Sequence, residues 1–277
     1  MHDIFFFTDI HGMYDLYRAI MDYCNEQDPE ATIIFGGDAC DRGTDGYKII
    51  KELLDNPRVV YLKGNHEDMF VSAALELKAK FEFVDMDREE IQDTLKHCLY
   101  TGDKFIHINH VLHNGGINTL TDWILDGMPL DILKRINELP LTFSYGECDF
   151  CHSAGLYRTF KEVADAEYEG KKPDECAAEA LIWGRTGLNT GWMKDRIAVF
   201  GHTPTICLDD FTGFKFPEDE EVTPVMYKRG MDTGWKLDMD TGVAFTKNAY
   251  VLNVLTMKAQ GFKLKDNKIE KIEVIKF

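Results

Sequence analysis

The sequence predicts an α/β fold, and three observations predict it. Short β-rich runs alternate with helical patterns through the first third of the chain, which marks β-α-β units and a partly parallel sheet. Each of these early strand runs passes at once into a loop dense in Gly, Asp, Asn and His. After a long helical stretch, short strand patterns return beyond Pro140.

Taken in order, Ile4–Thr8 reads as a buried first strand. Met13, Leu16, Tyr17, Ile20 and Cys24 then recur on one helical face behind the loop Asp9–Gly12. Ala31–Phe35 is the second strand, Tyr47–Leu54 the second helix and Val59–Leu62 the third strand. From Glu67 to Leu99 the pattern is helical, with Met69, Phe70, Ala73 and Leu77 in one segment and Ile91, Leu95 and Cys98 in another. Phe105–Ile108 reads as strand or loop, so His107, His110 and His113, spaced by three, are expected to be ordinary solvated or core histidines. Asp131–Glu138 adds a helix, and residues 67–138 read as a helical cap insertion in one domain spanning 1–277. Leu141–Tyr145, Asp149–His152, Ile197–Phe200 and Tyr250–Met257 follow as strands. Leu264–Ile275, broken at Asp266-Asn267, reads as a terminal hairpin, and the acidic run Glu218–Glu221 as a solvated loop.

Composition narrows the function. The chain has 277 residues, 44% hydrophobic and 12% aromatic, enough apolar material for a sizeable core and too much for a disordered chain. A formal charge of −17 repels nucleic-acid backbones and anionic membranes, so neither is an expected partner. A phosphate-bearing ligand must instead be captured locally, by metals or a few placed cations. No run approaches the roughly 20 apolar residues of a membrane-spanning helix. Ile4–Phe7 follows no basic leader, and a cytoplasmic location is expected. Seven scattered cysteines do not resemble a disulfide framework and read as reduced thiols. Cys148-x-x-Cys151-His152 matches a haem-attachment pattern, but the missing export signal and a strand that sends the two cysteines to opposite faces argue against it.

The chemistry is concentrated in the loops. They carry Asp9-Ile10-His11-Gly12, Gly37-Asp38-Ala39-Cys40-Asp41-Arg42-Gly43, Gly64-Asn65-His66-Glu67 and Gly201-His202-Thr203, with His152 at another strand end. Carboxylate, imidazole and amide donors in such numbers suit hard or borderline divalent cations, and glycines let the backbone turn tightly enough to aim them.

This ordered set resembles the phosphoprotein phosphatase branch of the calcineurin-like metallophosphoesterases, with the bacterial and phage serine/threonine phosphatases most similar. Asn114-Gly115-Gly116 with Thr119, and Asp240-Thr241-Gly242, are weaker echoes; the latter is expected to support the last loops. The resemblance runs from Asp9 to about Gly242 and implies a metallophosphoesterase-type sandwich of two mixed β-sheets flanked by helices. It implies two divalent metal ions, Mn²⁺ first with Fe, Zn or Co as other choices. Asp9, His11 and Asp38 would hold one ion, and Asp38, Asn65, His152 and His202 the other, with Asp38 bridging. Two such ions about 3.5–4 Å apart lower the pKa of a shared water toward neutrality and make a hydroxide nucleophile. Arg42 and Arg185, in Trp183-Gly184-Arg185, would clamp the phosphate, His66 would be the general acid and Asp41 its orienting partner. The implied substrate is a phosphorylated protein or a small phosphate ester, with symmetrical cleavage of diadenosine tetraphosphate, or hydrolysis of another nucleotide, as the alternative and a non-catalytic metal-binding scaffold as the distant one. Where the family commonly has His-Gly-Gly or His-Ala-Gly, this chain has His152-Ser153-Ala154-Gly155.

Overall fold

A computed structural model describes residues 2–99, 102–154, 175–213, 215 and 221–277. The first strand, β1 (Ile4–Phe7), shows why an uninterrupted apolar run is needed at the centre. Ile4 and Phe6 point into one apolar cluster, whereas Phe5 and Phe7 point into another. Alternation with a period of two buries both faces of the strand.

β1 lies in a six-stranded sheet of order β11-β10-β9-β1-β2-β3. Its members are β2 (Thr32–Phe35), β3 (Val59–Tyr61), β9 (Asn248–Asn253), β10 (Lys258–Lys265) and β11 (Lys268–Lys276). β1, β2 and β3 are parallel, and β9, β10 and β11 are antiparallel to their neighbours. The second sheet, of order β4-β5-β6-β8-β7, contains β4 (Thr142–Tyr145), β5 (Cys148–Cys151), β6 (Ile197–Phe200), β7 (Val225–Lys228) and β8 (Trp235–Asp238). β5, β6 and β8 run parallel there. Both sheets are mixed, as expected.

Between the sheets lies the cluster of Ile4, Phe6, Ile34, Leu62, Phe150, Val199, Leu237 and Leu252. The outer face of the first sheet packs on α1 (Tyr14–Gln27) and α2 (Gly46–Asp55), and the same cluster runs on through the helices that follow. Those are α3 (Asn65–Lys80), α4 (Arg88–Leu99), α5 (Ile106–His113), α6 (Ile117–Leu125) and α7 (Leu130–Asn137). A third cluster, with Cys151, Leu181, Leu188 and Phe200, covers the outer face of the second sheet, beside α8 (Glu175–Trp183). Cys148 and Cys151 thus fall on opposite faces of β5. Cys24, Cys40, Cys98, Cys148, Cys151 and Cys207 are thiols. No helix among the described residues is long and apolar enough to cross a membrane.

The structure corrects several sequence expectations. Ile106–His113 is helical, because Ile108 and Val111 bury one face among the neighbouring helices. His110 is exposed and stacks on Trp183, with ring centroids 5.7 Å apart and planes at 11°. The strand expected over Tyr250–Met257 ends at Asn253, and a turn leads into β10; the terminal hairpin does turn at Asp266-Asn267. β7 and β8 had no readable signal. In β8, Lys236 and Asp238 are charged residues at fully buried positions, which erases the apolar alternation. Of the run Glu218–Glu221, only Glu221 lies within the described residues, where it pairs with Lys263.

Candidate active site

The parallel strands of both sheets deliver their carboxyl ends to one rim. The loops leaving β1, β2, β3, β5, β6 and β8 carry Asp9 and His11, Asp38 to Arg42, Asn65 and His66, His152, His202, and Asp240. Open α/β sheets gather ligands at such ends.

The backbone at this rim is under strain. Asp9 (φ 54°), His11 (44°), Asp38 (61°), Asp41 (67°), Arg42 (63°) and His202 (70°) are all left-handed. Each costs roughly 1–2 kcal/mol for a residue with a Cβ, so surrounding bonds must over-determine the geometry. Asp9 N donates to Gly37 O at 3.0 Å, His11 N to Asp38 O at 3.0 Å and Gly12 N to Ala39 O at 2.8 Å, which stitches the first loop to the second. The second loop is tied to the third by Glu67, buried at the start of α3. Its carboxylate accepts from Asp38 N, Ala39 N, Gly64 N and Tyr61 Oη, each at 2.8 Å. Gly64 is required by close approach: a Cβ there would lie 2.3 Å from Asp38 Oδ1. Replacing Glu67 by Ala is expected to cost about 3–5 kcal/mol of folding stability, because it strands buried amides. Urea denaturation measures this, and a loss below about 1 kcal/mol would show the loops to be held otherwise.

Asp38 is the meeting point of the imidazoles. Its Oδ2 lies 3.8 Å from His11 Nε2 and 3.7 Å from His66 Nε2, and its Oδ1 lies 3.3 Å from His152 Nε2. Asn65 Oδ1 lies 2.9 Å from His152 Nε2 and 2.8 Å from His202 Nδ1. Two donor groups result, His11–Asp38–His66 and Asp38–His152–His202, each with its atoms within 4.8 Å of one another. Asp38 belongs to both. Asp9 belongs to neither group: its carboxylate accepts from Thr8 Oγ1 at 2.6 Å and from His202 N at 3.1 Å. Asp9 and Asn65 are nonetheless on the same rim as the other residues expected to bind metal.

These donors fit cations. Burial, then the neighbouring Asp9 and Glu67 carboxylates, push the Asp38 carboxyl well above its ordinary value. Burial and Asp240 do the same to Asp9. Burial pulls His11 down, His152 to about 3 and His202 to about 2, so the rings are neutral and offer lone pairs. His202 Nε2 is buried without a hydrogen-bond partner. A cation relieves the burial and mutual repulsion of the carboxylates and accepts the lone pairs of the neutral rings, and a set of oxygen and imidazole donors without thiolate suits Mn, Fe, Zn or Co. His11 Nδ1 bonds Cys40 O at 3.0 Å and His152 Nδ1 bonds Gly36 O at 2.8 Å, leaving Nε2 of each ring facing the donor group.

A linkage follows from the raised carboxyls. The folded chain holds protons on Asp9 and Asp38 that the unfolded chain releases near pH 4, so their contribution to stability is lost as pH rises through the folded values. Bound cations displace those protons, and affinity therefore climbs with pH. Mn²⁺ is expected to raise the melting temperature more near pH 7.5 than near pH 5.5. Equal shifts in scanning calorimetry would contradict the linkage.

Residues beside these donors suit a phosphate ester. His66 Nδ1 lies 2.7 Å from Asp41 Oδ2, and Arg42 Nη2 lies 3.3 Å from His66 Nε2. Arg42 is exposed, its guanidinium 5.8 Å from the Phe245 ring centroid. The Asn114-Gly115-Gly116 echo acts here. Arg42 N donates to Gly115 O at 3.0 Å, and Asp41 N donates to Thr119 Oγ1 at 3.1 Å. A Cβ on Gly116 would lie 2.5 Å from Asp41 Oδ1, so only glycine lets the helices approach the loop. Asn114 itself donates to His110 O at 2.8 Å. Arg185 follows α8, and its charge bears on His152, His202 and Asp240. Ser153, the departure after His152, anchors α8: its N and Oγ donate to Leu181 O and Ala180 O, both at 3.0 Å.

All ten residues singled out from sequence therefore lie at this rim. Sequence reasoning assigned no role to Glu67, although its place three residues after Gly64 is the spacing of a helix N-terminal capping box. It also read Asp240 as support for the last loops. Asp240 does accept from Gly242 N at 2.8 Å and from Thr205 N at 2.7 Å, but its carboxyl, pushed up to about 6 by burial, also raises Asp9.

No curated protein matches the sequence significantly. Among solved structures, the chain resembles a cold-active protein-tyrosine phosphatase of a psychrophilic Shewanella species at 14% identity and a TM-score of 0.51, covering 99% of this chain and 81% of that one. A Saccharomyces cerevisiae protein serine/threonine phosphatase with similarity to human phosphatase PP5 aligns at 11% identity and a TM-score of 0.46, covering 100% and 80%. A metallophosphoesterase from Sphaerobacter thermophilus aligns at 10% identity and a TM-score of 0.44, covering 98% and 88%. Residues 2–229 match the family described as calcineurin-like phosphoesterase. The chain therefore belongs to the calcineurin-like phosphoesterases, metal-dependent hydrolases of phosphate esters.

Proposed function

We propose that this protein is a phosphomonoesterase of the serine/threonine protein phosphatase type, with Asp9, His11, Asp38, Asn65, His152 and His202 holding two divalent ions. The observation that carries this reading is the convergence on Asp38 of three imidazole Nε2 atoms, at 3.3, 3.7 and 3.8 Å, beside the His66–Asp41 pair and Arg42. Two bound ions would supply an activated water at neutral pH and neutralise charge on the phosphoryl group. Arg42 and Arg185 hold the equatorial phosphate oxygens, over which the charge of the transferring phosphoryl group is spread. When Arg42 turns from His66 Nε2 to the phosphate, that nitrogen is freed to take up a proton from solvent and pass it to the leaving oxygen, which returns the ring to its neutral form. Asp41 fixes the ring through Nδ1, so the delivering nitrogen faces the rim.

The test is turnover by the Mn²⁺-loaded protein of phosphoseryl and phosphothreonyl peptides beside diadenosine tetraphosphate. Peptides are expected to be the better substrates. Preferential symmetrical cleavage of the dinucleotide would move the substrate assignment, and no turnover of any phosphate ester would remove the catalytic one.

A further inference from the structure

The segment that follows Arg185 is held by a buried lysine. Lys236, inside β8, is 2% exposed, and its Nζ donates to the carbonyl oxygens of Gly187 and of Thr190, the latter at 2.6 Å. These carbonyls belong to the 3-10 turn Thr186–Asn189, which begins directly after Arg185, and to the residue that closes it. Burial draws Lys236 down to about 8, so at neutral pH the ammonium form still predominates. Taking an ammonium out of water is costly, and an apolar side chain would satisfy the strand position without that cost. What the charge adds is two fixed carbonyls.

The rest of the turn is anchored in keeping with this. Tyr227, the cross-strand partner of Lys236 on β7, donates through its hydroxyl to Leu188 O at 3.3 Å. The Leu188 side chain is fully buried in the third apolar cluster. On the other side of Arg185, Ser153 grips Ala180 and Leu181. The arginine thus projects from a short stretch pinned at both ends, Leu181 and Gly187.

We propose that Lys236 is a positioning residue for phosphate binding: by holding the Gly187 and Thr190 carbonyls it sets the backbone path from which Arg185 reaches the substrate. This rests on the reading of Arg185 as a phosphate clamp, and the test separates the two. In the Mn²⁺-loaded full chain, Lys236→Met is expected to raise KM for an aryl phosphate and the inhibition constant of inorganic phosphate together by ~10-fold, with kcat moving less. Arg185→Ala is expected to do at least as much, and adding Lys236→Met to it to cost less than ~2-fold more. If Arg185→Ala leaves phosphate binding unchanged, the clamp reading fails and the proposal falls with it. If Arg185→Ala weakens binding but the two effects multiply, the clamp stands and the positioning role is overturned. Should Lys236→Met not fold, as judged by circular dichroism, Lys236→Gln removes the charge but keeps an amide N–H₂ group, and the same cycle is read with it.

Discussion

Replacing His66 by Asn is expected to lower kcat for an alkyl phosphate by ~10²–10⁴-fold, the usual worth of a positioned general acid. The loss should depend on the leaving group. An alkoxide cannot depart without a proton, whereas a nitrophenolate can, so the same variant should lose far less on 4-nitrophenyl phosphate. That dependence matters because His66 has two possible roles at this rim. Its Nε2 lies 3.7 Å from Asp38 Oδ2 and shares a donor group with His11, while its Nδ1 lies 2.7 Å from Asp41. A ligand lost would empty a cation position and damage every substrate alike; an acid lost would spare metal content. Measuring bound Mn²⁺ beside both rates decides. Equal losses on the two substrates with metal content halved would make His66 a ligand, and equal activity in variant and wild type would leave the protein with no proton donor there. Asp41→Asn should follow His66→Asn in direction, because the neutral amide still holds the ring but offers the imidazole no balancing charge.

Asp38→Asn is expected to be the most damaging change at the rim. Orienting partners of metal ligands are worth about 10–100-fold in affinity, and a carboxylate common to two donor groups should be worth more than that for each ion. Asparagine keeps the shape of Asp38 and one carbonyl oxygen, but it removes the negative charge that could balance two cations. Metal titration by calorimetry should therefore show weakened binding at both positions, with phosphatase activity falling by at least ~10³-fold. Folding should respond in the opposite direction. Without cations, Asp38 is a buried carboxyl pushed well above its ordinary value beside Asp9 and Glu67, so the neutral amide should make the cation-free chain more stable near neutral pH. A variant that binds two Mn²⁺ ions as tightly as wild type would remove Asp38 from the centre of the scheme.

How much was legible beforehand depended on the kind of signal. β1 and β2 were readable as short apolar runs bounded by glycine-rich loops, as strands buried on both faces are, and α1 and α2 because each buries one face, which imposes a period of 3.6. β8 was not, since Lys236 and Asp238 are ionisable residues at buried positions, and the carbonyls that hold Lys236 lie in a distant segment. Ile106–His113 was misread because its short apolar run, Ile106 to Ile108, fits a strand as well as a helix; contact with the surrounding helices settles it. The candidate site was legible to an unusual degree, because its donors sit in glycine-bordered loops of fixed spacing.

The amino-acid order alone determined the α/β class, the strand-ending loops and the chemical character of the donor set, since these depend on local periodicity and on residue type. Only the tertiary structure decided which atoms meet: that Asp38 faces three imidazoles, that Asp9 bonds His202 across 193 positions of sequence, and that Glu67 and Lys236 hold the loops. Such contacts join segments whose local propensities say nothing about one another. They arise when two sheets pack face to face and bring six strand ends to one edge.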